Sequence, residues 1–153
     1  MSSSAMSSSA MSATNAVNFE KEIPDVFKTM AGATYAVHDL GFDRKLGHLI
    51  HLRASQMNGC AHCIKMHTKE ARDDGETNER LDRVIVWRHV SDFTDREKAA
   101  FAWTEALTRL HDEADLGALR AELRKHFSER DIGLLTCEVA MINFWNRFGV
   151  ARH

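Results

Sequence analysis

The sequence predicts an all-α fold, and three observations carry that expectation. Chain punctuation is sparse, with one proline and eight glycines in 153 residues, which suits long helices better than a many-turned β-sandwich. Where glycine, proline and capping residues do occur, they fall at the ends of segments whose apolar residues recur at helical spacing. No convincing period-two run is present. The only β-branched cluster, Val84-Ile85-Val86, sits between helical flanks. The expected architecture is a single-domain helical bundle of six to seven helices, with residues 1–18 as a tail and residues 19–153 as the domain.

The tail reads MSSSAMSSSAMSATNAVN, uncharged and without an apolar block. It therefore lacks the basic start and apolar run of a signal peptide and reads as a flexible extension. Pro24 suits the first turn of a helix running to about His38, with Gly41 just beyond. A second helix is expected from about Asp43 to Met57, stopping at Asn58-Gly59, a pair that tolerates left-handed geometry. A third runs from about Cys60 to Asp74. Thr77 caps a fourth, with Leu81, Val84, Ile85 and Trp87 on its inner face. Thr94 and Glu97 form a capping box for a helix to about His111. Leu116 to Phe127 is a shorter amphipathic helix. Ser128 caps the last long one, which turns Ile132, Leu135, Val139, Ile142 and Phe144 inward.

Composition narrows the function. Hydrophobic residues at 44 % and charged residues at 27 % are ordinary for a chain that buries a core. Twenty basic against 22 acidic residues leave a net charge of −2, which argues against a nucleic-acid partner. No apolar stretch approaches the ~18–20 residues of a membrane span. Without a targeting signal, the cytoplasm is the expected location. Three cysteines are too few for a secreted disulfide framework.

Chemistry concentrates in SQMNGCAHCIKMHTKEA, residues 55–71. If Cys60 opens a helix, Cys63 and His67 fall within about 60° of it on one stripe at ~100° per residue. The helix N-terminus favours a thiolate there, and His67, one turn past Cys63, is placed to take the proton of a reacting thiol. The second sulfur is near enough to close a disulfide. His62, between the cysteines, is a further candidate. If the helices flanking Asn58-Gly59 pack antiparallel, His48 and His67 lie at heights of roughly 15 and 12 Å from the pivot, so their imidazoles face each other. His51 shares the face of His48 one turn away. The same spacing admits a metal reading, with Cys60, Cys63, His67 and His48 as four zinc ligands. Haem attachment is excluded, because Ile64 follows Cys63 where histidine is required. Cys137 reads as a core filler, Met57, Met66 and Met141 as packing, and the three tryptophans as core or subunit interface.

The run LIHLRASQMNGCAHCIKMHTKEA resembles the core of the AhpD-like alkylhydroperoxidases within the carboxymuconolactone decarboxylase superfamily. WRHVSDFTDREKAAFAWTEALT and VAMINFWNRFGV resemble its downstream helices, so the likeness spans roughly residues 19–150. It implies an AhpD-like all-α fold, a homo-oligomer (trimer or hexamer), no cofactor, and a peroxiredoxin-type activity on a hydroperoxide. Carried over, Cys63 attacks the peroxide, Cys60 resolves the sulfenic acid to a disulfide, His67 belongs to the proton relay, and an external dithiol or disulfide reductant restores the thiols. The helix dipole alone favours Cys60 as the more acidic thiol; the place of His67 one turn from Cys63 decides for the family assignment.

One position departs from the family pattern. Twelve residues before the first cysteine the relay normally has a glutamate, and this chain has His48. A neutral imidazole passes a proton but supplies no negative charge, so slower or pH-shifted turnover and higher metal affinity are expected. A His48→Glu variant tests both. The sequence thus points to an antioxidant CxxC dithiol peroxidase using Cys63, Cys60, His67, His48 and His62. A zinc protein and a lyase of the decarboxylase type are the alternatives; the lactone decarboxylases of this superfamily lack the CxxC, which argues against the last.

Overall fold

Side-chain caps mark most helix starts, as the sequence leads one to expect. The structure, a computed structural model, describes residues 12–153. Of the expected tail, residues 1–11 lie outside the described residues, and residues 12–17 are exposed. Asn18 then caps a four-residue helix, α1 (Phe19–Glu22), that the sequence pattern does not announce. Pro24 opens α2 (Pro24–Asp39). Asp43 accepts a hydrogen bond from the Leu46 N–H to start α3 (Arg44–Asn58), and Cys60 caps α4 (Ala61–Asp73). Thr77 caps α5 (Asn78–Arg83), Thr94 caps α6 (Asp95–Arg109), Asp115 caps α7 (Leu116–Arg124) and Ser128 caps α8 (Glu129–Val150). No strand occurs among the described residues, and no helix there is long and apolar enough to cross a membrane.

Two local expectations are corrected. The fourth helix does not continue through Trp87: after Arg83 the chain tightens into a 3₁₀ segment, Val84–His89, with Val86 off helical geometry. The β-branched run disfavours a continuing α-helix. In a 3₁₀ turn residues three apart share a face, so Val84 and Trp87 are buried, whereas Ile85 is 58 % exposed and not on the inner face. The capping box is also only half made. Thr94 Oγ1 accepts from the Glu97 N–H at 3.1 Å, but the Glu97 carboxylate is taken by Arg80 and by the Thr94 hydroxyl.

The middle of the bundle is α3, which packs against α4, α6 and α8. Its two sides face two apolar clusters. Leu46 and Ile50 join Trp103, Leu123, Leu135 and Val139 on one side. Leu49 and Leu52 join Leu81, Val84, Trp87 and Phe101 on the other. Gly59, at φ +69°, reverses the chain between α3 and α4; an L side chain rarely adopts that conformation. This turn returns α4 along α3 and brings the cysteine pair beside the histidines of α3. At the end of the turn, Asn58 donates to Asn143 and Asn146 of α8, and buried Asn146 donates to buried Ser55, each bond at 3.0 Å. The last helix therefore holds the loop that carries Cys60.

Candidate active site

Cys60 and Cys63 form a disulfide across the first turn of α4, with Cα atoms 5.3 Å apart. The Cys63 N–H donates to Cys60 Sγ at 3.3 Å, so the sulfur also serves as the helix cap. Both side chains are buried, but differently. Cys60 has no exposed surface, whereas Cys63 retains 4 % and lines a cavity of about 580 Å³. Of the two sulfurs, the one reached from the cavity is that of Cys63.

His67 lies one turn further along α4, buried and on the same cavity. Its Nδ1–H donates to Glu70 Oε2 at 3.2 Å. That bond fixes the tautomer and leaves Nε2, buried and without a hydrogen-bond partner among the described residues, as an open acceptor. Burial pushes the His67 pKa below the usual histidine value, against the opposing bond to Glu70, so the ring is poised as a neutral base. In return, the His67 hydrogen bond holds the Glu70 carboxyl below its ordinary range.

The expected face-to-face arrangement of His48 and His67 is made through a carboxylate. His48 Nδ1 is 3.8 Å from the same Glu70 oxygen that His67 binds, while its Nε2–H donates to Asp74 at 2.5 Å. Asp74 also pairs with Arg44 at 2.7 Å, and the His48 hydrogen bond is the first cause of its lowered pKa. The ring that packs against His67 is instead that of His51, tilted by 49° at a centroid distance of 4.8 Å. His51 Nε2–H donates to Glu138, a buried carboxylate on α8. His62, by contrast, is exposed and lines no part of the cavity.

Glu70, Asp74 and Glu138 are not among the residues the sequence singles out, although two leave a signal there. Glu70 follows His67 by three residues on the same helix face. Glu138 falls on the inner stripe of α8 with Leu135 and Ile142, where an acid stands out among apolar neighbours. The remaining wall is largely apolar. It includes Phe42, Ile142 and Trp145, and also Met66 and Met141, which the sequence assigns to packing. Cys137 is corrected outright: it is a free, exposed thiol rather than a core filler. It lies about 200° around α8 from Leu135, opposite the buried stripe.

The four-ligand zinc set is not assembled. The two sulfurs are bonded to each other, and no group of three or more His, Cys, Asp or Glu side chains among the described residues is arranged to hold a metal ion.

Comparison with known proteins agrees with this architecture. Residues 22–106 match the sequence model of the Carboxymuconolactone decarboxylase family. The uncharacterized protein YdfG of Bacillus subtilis is 33 % identical over 135 residues, 88 % of this chain and 92 % of YdfG. The crystal structure of ATU0492 from Agrobacterium tumefaciens, a protein of unknown function provisionally assigned to antioxidant defence as AhpD, superposes with a TM-score of 0.84. It shares 35 % identity, over 90 % of this chain and 94 % of that one. The debrominase Bmp8 shares the fold at a TM-score of 0.75 and 18 % identity, over 86 % of this chain and 71 % of its own. The family and its AhpD-like neighbours support a role of the peroxidase-related or decarboxylase-like kind. With its helical bundle, its CxxC turn and these matches, the chain belongs to the carboxymuconolactone decarboxylase family, on its AhpD-like side.

Proposed function

We propose that this protein is a thiol-dependent peroxidase that reduces hydroperoxides through Cys63 and Cys60. The observation that carries the reading is the contrast between the two sulfurs: Cys63 opens onto the cavity beside a neutral His67 with a free Nε2, and Cys60 sits fully buried behind it. Cys63 occupies the first turn of α4, where the helix N-terminus favours a thiolate. In the reduced enzyme, His67 Nε2 takes the Cys63 proton, and the thiolate attacks one peroxide oxygen. The O–O bond breaks, leaving Cys63 as a sulfenic acid and releasing the alcohol once its oxygen is protonated. The Cys60 thiol then displaces water from the sulfenic acid and closes the disulfide. An external dithiol restores both thiols and is itself oxidised. The exposed Val26 and Tyr35 of α2, with Ile23 just before it, support a homo-oligomer.

A thiol count tests the reading. Freshly reduced protein carries three thiols, and one equivalent of cumene hydroperoxide is expected to remove two of them. That loss is expected to be absent in Cys63→Ser. Retention of all three thiols in the wild type overturns the proposal, as does a lyase-type activity that survives Cys63→Ser undiminished.

A further inference from the structure

Position 48, which carries the relay glutamate in the family pattern, is a histidine here, and its ring is engaged by Asp74, which Arg44 pairs in turn. The cavity nevertheless contains a second imidazole–carboxylate pair that the peroxidase reading leaves unused. Glu138 is only 5 % exposed, and a carboxylate buried to that degree is costly unless its charge is matched and hydrogen-bonded. Its partner is His51, which comes from α3, 87 residues earlier in the chain. The His51 ring packs against that of His67 at an interplanar angle of 49°, and the buried Nε2 of His67 has no hydrogen-bond partner among the described residues. Both His51 and Glu138 line the same cavity as Cys63.

We propose that His51 and Glu138 form the distal half of the proton relay, with Glu138 as its positioning residue; this rests on the peroxidase reading above. The proton that Cys63 gives to His67 at Nε2 passes through His51 to the oxygen that leaves when the O–O bond breaks. That oxygen departs as alcohol, and no proton is gained or lost overall. Glu138 holds the His51 ring in register and offsets its charge while the ring carries the proton. A carboxylate from the last helix thereby supplies the negative charge that His48 cannot. Besides Cys63, the other titratable or charged groups on this cavity are Tyr35 and His38 from α2, Arg44 and His48 from α3, and His67 and Glu70 from α4.

The test is the rate at which reduced protein loses its two thiols to cumene hydroperoxide, followed by stopped flow from pH 5 to 9. Wild type, Glu138→Gln, His51→Gln and the double variant are compared. Glu138→Gln is expected to slow the reaction about 10- to 100-fold and to change the shape of the pH profile. The double variant is expected to be no slower than the slower single one, because the two residues act as a unit. A wild-type rate and profile in Glu138→Gln overturns the inference, as does a uniform slowing with an unchanged profile and additive effects. If Glu138→Gln does not fold, His51→Gln decides alone: a wild-type rate and profile there overturns the relay, and slowing with an altered profile supports it. Should the wild type itself lose no thiols, the peroxidase reading fails first, and that outcome is visible before any variant is compared.

Discussion

Gly149 on α8 lies directly against the cysteine pair: a β-carbon on it would come within 2.5 Å of Cys60 Sγ and 3.2 Å of Cys63 Sγ. The close approach of the last helix to the disulfide thus depends on the missing side chain. It also explains why the Cys60 sulfur has no exposed surface.

Two glycines of α8 should therefore respond in opposite directions to alanine. In a helix interior, Gly→Ala ordinarily stabilises by about 1 kcal/mol. Gly133 has nothing within 4 Å of a built β-carbon, so Gly133→Ala is expected to show that gain. At Gly149 the clash dominates, and Gly149→Ala is expected to cost about 1–3 kcal/mol in the oxidised protein. The cost should shrink on reduction, because a free Cys60 side chain can rotate away. Urea denaturation of both variants, with and without reductant, measures all of these differences.

The lowered His67 pKa fixes the sign of one pH effect. The unfolded chain protonates this ring near its ordinary value of 6.5, before the folded protein does. Its contribution to stability is thus fully present above pH ~6.5 and is lost as pH falls through the lower folded value. His67→Gln is expected to flatten the stability–pH curve on the acid side of neutrality. An unchanged slope relative to the wild type would contradict the assignment of a buried, neutral ring.

Asn146 has no exposed surface and joins Ser55 to Asn58 at the α3–α4 turn. Asn146→Ala leaves the buried Ser55 hydroxyl without this donor and removes one acceptor from Asn58. The expected loss is about 2–3 kcal/mol, measured by thermal or urea unfolding. Since the same turn carries Cys60, slower closure of the disulfide after peroxide treatment is expected alongside it.

Glu105 holds the other side of the bundle together. It accepts from Arg53 Nε at 2.8 Å, from Trp87 Nε1 at 2.9 Å, and from Arg88. Arg88 is half exposed and adds little, but the Arg53 side chain is 11 % exposed and would be left as a nearly buried, uncompensated charge. Glu105→Ala is expected to destabilise by about 3–5 kcal/mol, with peroxide-driven thiol loss still occurring in the folded fraction. Unfolding curves and a thiol count on the same sample separate the two effects.

Local chemistry makes the helices and the cysteine pair legible in the sequence. Asp43, Thr77, Thr94 and Ser128 announce helix starts because a side-chain oxygen there satisfies an N–H two or three residues on. Cys60, Cys63 and His67 share one stripe because a single helix turn relates each to the next. Where local preference changes midway, as at Val84–His89, the expected inner face fails at Ile85, since a 3₁₀ turn presents residues at a different angular step.

Which groups meet across helices is decided by packing. Glu138 reaches His51 only because α8 lies across α3, and His48 of α3 comes to Asp74 and near Glu70 only because α3 and α4 settle at one particular register. The same packing buries Cys60 beneath Gly149 while leaving Cys63 on the cavity. Spacing along the chain determines which residue types are present and which helix face they share. The distances between faces, and hence which sulfur meets the cavity and which acid of one helix meets which imidazole of another, follow from close-packed contacts among residues far apart in sequence, which no local pattern encodes.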